Sequence, residues 1–410
     1  FFSNKFFILI LILILIFLII FKRLTCSVTD DNALPCCPGL YCWVESEYYA
    51  QCQEIVNETS TPTPMPSPET CLSEWLTCSV TDDHALPCCD GLYCAIESDY
   101  YAQCQEIVNE TSTPAHTSAY ECGTSIADTS YVTSEYSNWV KSYILDTGVG
   151  LCVDQPDQGS KCVSEGLGYG MLLSAAFNDQ ETFDGLWQFV QYSFDGNGLP
   201  NWEMSPTGDV WGKGSATDAD LDIALGLLMA ANTFQSSSTD YTKAAITLIN
   251  NIMEHEVDQT LLMLKPGDSW GNDSAYIAYN PSYFSPAHMH YFYLATNDKK
   301  WNDLIDQGYD FLLNDCTKYT LKNSGLVPDW TESLSSCQPG NTYQADMDNG
   351  ADYYYDAIRT PWRLALHNSW TCDDNAQLWI NNMASFFNSK GVDGLSQGFK
   401  MDGTSLGGDT

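Results

Sequence analysis

The sequence predicts an all-α domain over residues 122–410, preceded by two small disulfide-dense modules. Three observations carry this. Apolar residues recur at three- and four-residue spacing in nine stretches of the large region, as on the buried faces of helices. Strand-like alternation is scarce there, so serial amphipathic helices must bury their faces on one another, in a bundle or toroid. Residues 24–108, by contrast, hold eleven of the chain's 17 cysteines in a pattern that occurs twice.

An apolar leader comes first. Residues 6–21 are sixteen uninterrupted apolar residues, with Lys5 before and Lys22-Arg23 after. A spanning helix takes about twenty residues, so 1–23 reads as a signal peptide rather than a signal anchor, and the protein as secreted. The first residue is not Met, so further sequence is expected before it. The cysteine density agrees with an oxidising compartment. Asn57, Asn109 and Asn272 each open an acceptor triplet for N-glycosylation. A formal net charge of −37 repels phosphates, which argues against nucleic acid and anionic membranes as partners.

The repeats occupy 24–56 and 71–108. Leu24-Thr25-Cys26-Ser27-Val28-Thr29-Asp30-Asp31 returns as Leu76-Thr77-Cys78-Ser79-Val80-Thr81-Asp82-Asp83. The second copy has Cys71, Cys78, Cys88, Cys89, Cys94 and Cys104, a spacing that resembles an inhibitor cystine-knot (knottin) framework. So small a module cannot rest on a hydrophobic core and needs its disulfides. Six cysteines allow about fifteen pairings, and spacing does not choose among them. The first copy lacks a counterpart of Cys71, where Ile19 stands. No histidine stands at ligand spacing, so no zinc is expected. Tyr41, Trp43, Tyr48, Tyr49, Trp75, Tyr93, Tyr100 and Tyr101 either stack on sugar rings or dock a protein, or else pad a tiny core. Residues 57–70 and 109–121 are Ser/Thr/Pro-rich linkers.

In the large domain the spacing predicts helices over 131–145, 170–177, 183–194, 218–234, 241–257, 286–295, 301–313, 353–367 and 376–388. The organising stretch is 216–234. Asp218, Asp220 and Asp222 stand at its mouth, and Ile223, Leu227, Ala230 and Phe234 then mark a buried face. Thr217 or Asp218 is expected to cap this helix, with Asp220 and Asp222 capping or orienting the loop. Acids in a first turn also simply complement the helix dipole. Three of them on so apolar a helix suggest chemistry. His288 and His290 are expected to pack or hydrogen-bond, since alternate helix positions face different ways.

Three motifs carry a resemblance. Ala216-Thr217-Asp218-Ala219-Asp220 with Ile223-Ala224, Ser164-Glu165-Gly166-Leu167-Gly168-Tyr169-Gly170-Met171, and Tyr355-Asp356-Ala357-Ile358-Arg359-Thr360-Pro361-Trp362 are similar to the signatures of glycoside hydrolase family 8. The resemblance covers about 122–410. It implies an (α/α)6 barrel with its cleft at the inner helix ends, and a final helix pair beyond Gly407-Gly408-Asp409-Thr410, so a C-terminally truncated domain is expected.

Glycoside hydrolysis takes one protonated and one ionised carboxyl group. Glu165 is the expected general acid. Gly166, Gly168 and Gly170 are expected to let a sugar approach the backbone, and burial beside Tyr169 and a second carboxylate to raise the pKa. Asp356 is the expected base, held by Arg359 three residues on. Its rivals Asp346, Asp348 and Asp352 differ from it only in lacking the motif match. The resemblance implies that Asp218 holds and distorts the sugar, and that the anomeric centre is inverted. Trp202, Trp270, Tyr283, Tyr355 and Trp211 are candidate sugar platforms, with Tyr169 and Arg359 also substrate-binding.

The expected function is a secreted, monomeric endo-β-1,4-glucanase that needs neither cofactor nor metal. Chitosan, xylan and mixed-linkage glucan are alternative substrates, and the acidic charge is compatible with a cationic chain. A non-catalytic polysaccharide-binding protein is the alternative of another class, and a toxin-like or inhibitor role remains open for the N-terminal copies.

Overall fold

The computed structural model describes residues 129–407 apart from 157–158, 235–237, 270–277, 341–349 and 392–393, and the backbone of four strands nearer the N-terminus. The leader, the linkers, Trp270, Asp346 and Asp348 lie outside the described residues, as does the disulfide pairing of the repeats. Each repeat contributes a two-stranded sheet, β1 (Leu40–Ser46) with β2 (Tyr49–Glu54) and β3 (Leu92–Ser98) with β4 (Tyr101–Glu106). In the second, antiparallel register places Cys94 opposite Cys104.

The large region is mostly helical. Among the described residues it holds α1 (Thr129–Tyr143), α2 (Ser164–Ala176), α3 (Gln180–Tyr192), α4 (Thr217–Thr233), α5 (Tyr241–His255), α6 (Pro286–Thr296), α7 (Lys300–Asp310), α8 (Arg359–Thr371) and α9 (Asp374–Lys390). Buried and one-faced helices alternate. Nearly every residue of α2 and α4 is buried, and α2 packs on α4, α4 on α6 and α6 on α8. The amphipathic α3, α5, α7 and α9 pack outside α2, α4, α6 and α8 respectively. Asp179, Asp240 and Asp373 cap α3, α5 and α9 by accepting from the N–H groups of Thr182, Lys243 and Ala376.

Short strands decorate the helix ends. β5 (Ile144–Asp146) pairs with β6 (Leu151–Val153), and β7 (Cys162–Val163), β8 (Glu203–Met204) and β9 (Val210–Gly212) form a three-stranded sheet. Disulfides join Cys152 to Cys162 and Cys316 to Cys337, and Cys372 is disulfide-bonded as well.

Three local expectations are corrected. The second helix begins at Ser164, not near 170, so its glycines are helical. They do not open the backbone to a ligand: a Cβ on Gly168 would stand 2.8 Å from Asp222 Cβ, and one on Gly170 2.9 Å from Leu186 Cδ1. Glycine is needed there because neighbouring elements approach so closely. Residues 353–358 are not helical: Tyr353 bridges to Phe399 and 355–358 form a turn, with Asp329 Oδ1 accepting from the N–H groups of Tyr354 and Ala357. Neither Thr217 nor Asp218 caps α4; its N-cap is Ala216, without a side-chain bond, and both predicted caps lie inside the first turn.

Candidate active site

Three carboxyl groups stand at the N-terminal ends of three buried helices. Glu165 is in the first turn of α2, which continues directly from β7. That junction is fastened by the Cys152–Cys162 disulfide and by the Ser164 N–H donating to the Trp202 carbonyl (2.9 Å). The Glu165 residue keeps part of its surface open, while Oε2 is enclosed without a hydrogen-bond donor. Asp218 is in the first turn of α4 and fully buried; Oδ2 accepts from Arg359 Nη1 (2.6 Å), and Oδ1 has no partner.

Asp356 lies in the turn before α8 with 28% of its side chain exposed. Its Oδ1 accepts from Arg359 Nη2 (2.9 Å) and its Oδ2 from Asn280 Nδ2 (2.9 Å). Arg359 thus forks between Asp218 and Asp356, geometry that a lysine ammonium cannot copy. Its Nε donates to Ser282 Oγ (3.1 Å), and its guanidinium lies 5.4 Å from the centre of the Tyr283 ring.

The electrostatics separate these groups. Burial, then the Asp218 charge, push the Glu165 carboxyl up to about 7. Burial also raises Asp218, opposed by Arg359 and Arg363. For Arg359 burial disfavours the charge, but Asp356 and Asp218 more than offset it and hold the guanidinium protonated. The site therefore holds Glu165, a carboxylic acid raised to about 7, and Asp356, a partly open carboxyl whose two oxygens both accept N–H bonds.

The structure brings together Glu165, Asp218, Asp356, Arg359 and Tyr283; the buried Tyr283 hydroxyl feels the charges of the other four. Tyr169 is buried edge-on against Trp362, with ring centres 5.7 Å apart, and forms wall rather than an open platform. Trp202 is half-buried before β8, its indole pressed on Gly212, and Trp211 is exposed on β9. Tyr355 is half-buried against Tyr354.

Asp220 and Asp222 are not caps either. Asp222 pairs with Arg363 through both oxygens and accepts from His288 Nε2 (2.7 Å). Asp220 faces Glu256 in a buried pair behind the site. Sequence reasoning missed Asn280, Ser282 and Asp329, which hold Asp356 and Arg359. The one local signal for them was Asn280-Pro281, a turn-forming dipeptide. Among the described residues no group of three or more His, Cys, Asp or Glu is placed to hold a metal ion.

Residues 115–403 match the sequence pattern of the glycosyl hydrolases family 8. Endoglucanase A of Acetivibrio thermocellus is 37% identical over 296 residues, covering 69% of this chain and 59% of that protein. The beta-glucanase of Niallia circulans is 33% identical over 293 residues, covering 68% and 71%. The apo structure of beta-1,3-1,4-glucanase from Paenibacillus sp.X4 superposes with a TM-score of 0.64 at 31% identity, covering 71% of this chain and 81% of that one. The chain spans about three-fifths of the length of the first curated relatives it matches. With the three motifs at the ends of neighbouring buried helices and the match extending over most of the large region, the chain belongs to glycosyl hydrolases family 8.

Proposed function

We propose that this chain is an inverting endo-glycosidase of β-glucans, with β-1,4-glucan as its preferred polymer. The carrying observation is the fork of Arg359 between Asp218 and Asp356, near a Glu165 that burial raises to about 7. Glu165 donates its proton to the leaving glycosidic oxygen. Asp356, its oxygens in acceptor form, takes a proton from a water that attacks the anomeric carbon from the other face. Inversion sets the two carboxyl groups about 6.5–9.5 Å apart, with room for that water. The unpartnered Asp218 Oδ1 accepts from sugar hydroxyls and favours a flattened ring. Trp202 and Tyr355 supply ring faces, and the apolar leader and the cysteine-rich repeats fit a secreted enzyme with accessory modules.

Mixed-linkage β-1,3-1,4-glucan is the second reading, favoured by the Paenibacillus glucanase and the Niallia beta-glucanase among the similar proteins. The test is reducing-end release from carboxymethylcellulose, mixed-linkage glucan, xylan and chitosan, with Glu165→Gln alongside. Release that falls by about a thousandfold or more in the variant supports the acid role, and proton NMR of the first-formed anomer reports inversion. Equal release by wild type and variant would refute the assignment.

A further inference from the structure

The inner helices meet at one fully buried side chain, Asp222 on α4. From α8, Arg363 donates to both of its oxygens; Nη2 to Oδ2 is 2.7 Å. From α6, His288 Nε2 lies 2.7 Å from Asp222 Oδ1; burial lowers the His288 pKa, and facing a carboxylate, which only accepts, Nε2 is the nitrogen that carries the proton. From α2, Gly168 presents a bare Cα, where an added Cβ would stand 2.8 Å from Asp222 Cβ. The helices that carry Glu165, Asp218 and Arg359 are thus fastened to one carboxylate that touches no open cleft.

The spacing shows what this fastening sets. Asp218 and Asp222 are four residues apart on α4, and Arg359 and Arg363 are four apart on α8. Each pair is one helical turn, roughly 6 Å of rise. Two Asp–Arg bridges therefore stack between the same two helices: an outer one at the cleft and an inner one below it. The inner bridge is closed, because both terminal nitrogens of Arg363 go to Asp222 and its guanidinium lies 4.2 Å from the centre of the Trp362 ring, while Nε has no hydrogen-bond partner among the described residues. The outer bridge is shared, because Arg359 must also serve Asp356.

We propose that Asp222, Arg363 and His288 are positioning residues for the hydrolysis, fixing the register of α8 against α4 so that Arg359 can fork between Asp218 and Asp356. Asp222 also keeps Arg363 from competing for Asp218. This rests on the glycosidase reading above, so its test includes a measurement that does not need turnover.

Three variants are compared: Asp222→Asn, the double variant Asp222→Asn/Arg363→Met, and Arg363→Lys. In Asp222→Asn the released Arg363 charge turns to Asp218, and kcat falls by about 100-fold with KM little changed. The same unpaired cation favours an ionised Glu165, whose other charged neighbours are Asp218, Arg359 and Asp356. The alkaline limb of the pH–rate profile then moves to lower pH. In the double variant the limb returns toward its wild-type position while kcat stays low. Arg363→Lys keeps the charge but loses the two-pronged grip, so kcat falls and the limb stays. Carbon NMR titration of labelled Glu165 reads the same shifts whether or not any polymer is cleaved, which separates failure of the glycosidase reading from failure of this one. If Asp222→Asn does not fold, Arg363→Lys decides through kcat against KM, with the Glu165 titration expected unmoved. Folded variants that melt earlier yet keep wild-type kcat and an unmoved Glu165 titration in Asp222→Asn would reduce the cluster to a structural bridge and overturn the proposal.

Discussion

Asp222 and Asp220 stand two residues apart on α4, both buried, and their carboxyls are pushed in opposite directions. Burial opposes ionisation of Asp222, but Arg363 and His288 overcome it and bring its carboxyl below the usual range. At Asp220 burial, then the Glu256 charge and hydrogen bond, push the carboxyl well up. No N–H or hydroxyl donor reaches either Asp220 oxygen; what they meet is another carboxyl group. Two carboxyls can bond only if one keeps its proton. On a helix, a two-residue step turns the side chain to the far side. One face of α4 therefore looks at the arginines of α8, and the other at Glu256 after the end of α5. The same residue type is a fixed anion on one face and part of a proton-holding pair on the other. The partner decides which, and the helix only selects the partner.

The largest effect comes from breaking the ionised face. Asp222→Asn leaves the buried Arg363 without its own counter-ion, competing with Arg359 for Asp218, and Arg363→Met leaves Asp222 buried with His288 as its remaining partner. Each is expected to cost about 3–5 kcal/mol in urea unfolding at pH 6. The double variant should cost less than either single change, because it leaves no unpaired charge. Additive losses would mean that the bridge contributes only packing.

A smaller effect concerns activity. With Glu165 raised to about 7 by burial and the Asp218 charge, the acid is competent below that pH and loses its proton above it. Hydrolysis is expected to fall about tenfold for each pH unit above the limb. Asp218→Asn removes a negative neighbour and should move the Glu165 titration to lower pH, an outcome read by the same carbon NMR. A titration that stays in place would mean that burial, with the lesser Asp356 charge, sets the Glu165 shift.

Much of this arrangement was legible in the chain. Helix positions followed from three- and four-residue apolar spacing, and seven of the nine starts fall within three residues of those read from it. The exceptions are physical. Gly166 and Gly168 look like a loop, yet they are helical, with Val153 pressed against Gly166 and Asp222 of α4 against Gly168. Tyr353 to Ile358 has apolar spacing, but Asp329, far away in sequence, takes two amides of that segment into a turn. The motif residues came together at one site. The partners of Asp222 were missed because Arg363 lies 141 residues away. A signal existed nonetheless: Asp218-x-x-x-Asp222 mirrors Arg359-x-x-x-Arg363, a match of charge and helical period between two motifs. The role of Asp220 had no such signal, because Glu256 sits in no motif.

The protonated face gives the smallest change and the sharpest sign. Burial raises Glu256 to about 8 from a reference of 4.5. A carboxyl raised in the folded state stabilises fully below its unfolded pKa, and that contribution is lost as pH climbs to the folded value. Wild-type stability should therefore decline between about pH 4.5 and 8, by an amount on the order of a few kcal/mol if no other group compensates. Glu256→Gln keeps an acceptor for the Ser215 hydroxyl, which donates to Oε1 in the wild type, and offers an N–H to Asp220 at every pH. Its melting temperature should fall less across that window than the wild type's, the remainder coming from other raised carboxyls such as Glu165, and should exceed the wild type's at pH 8. Asp220→Asn makes the mirror-image exchange and should cost about 1 kcal/mol or less at pH 5, far below Asp222→Asn two residues away. Equal costs for Asp220→Asn and Asp222→Asn would mean that both faces of α4 carry the same charge state, and the contrast between them would fail.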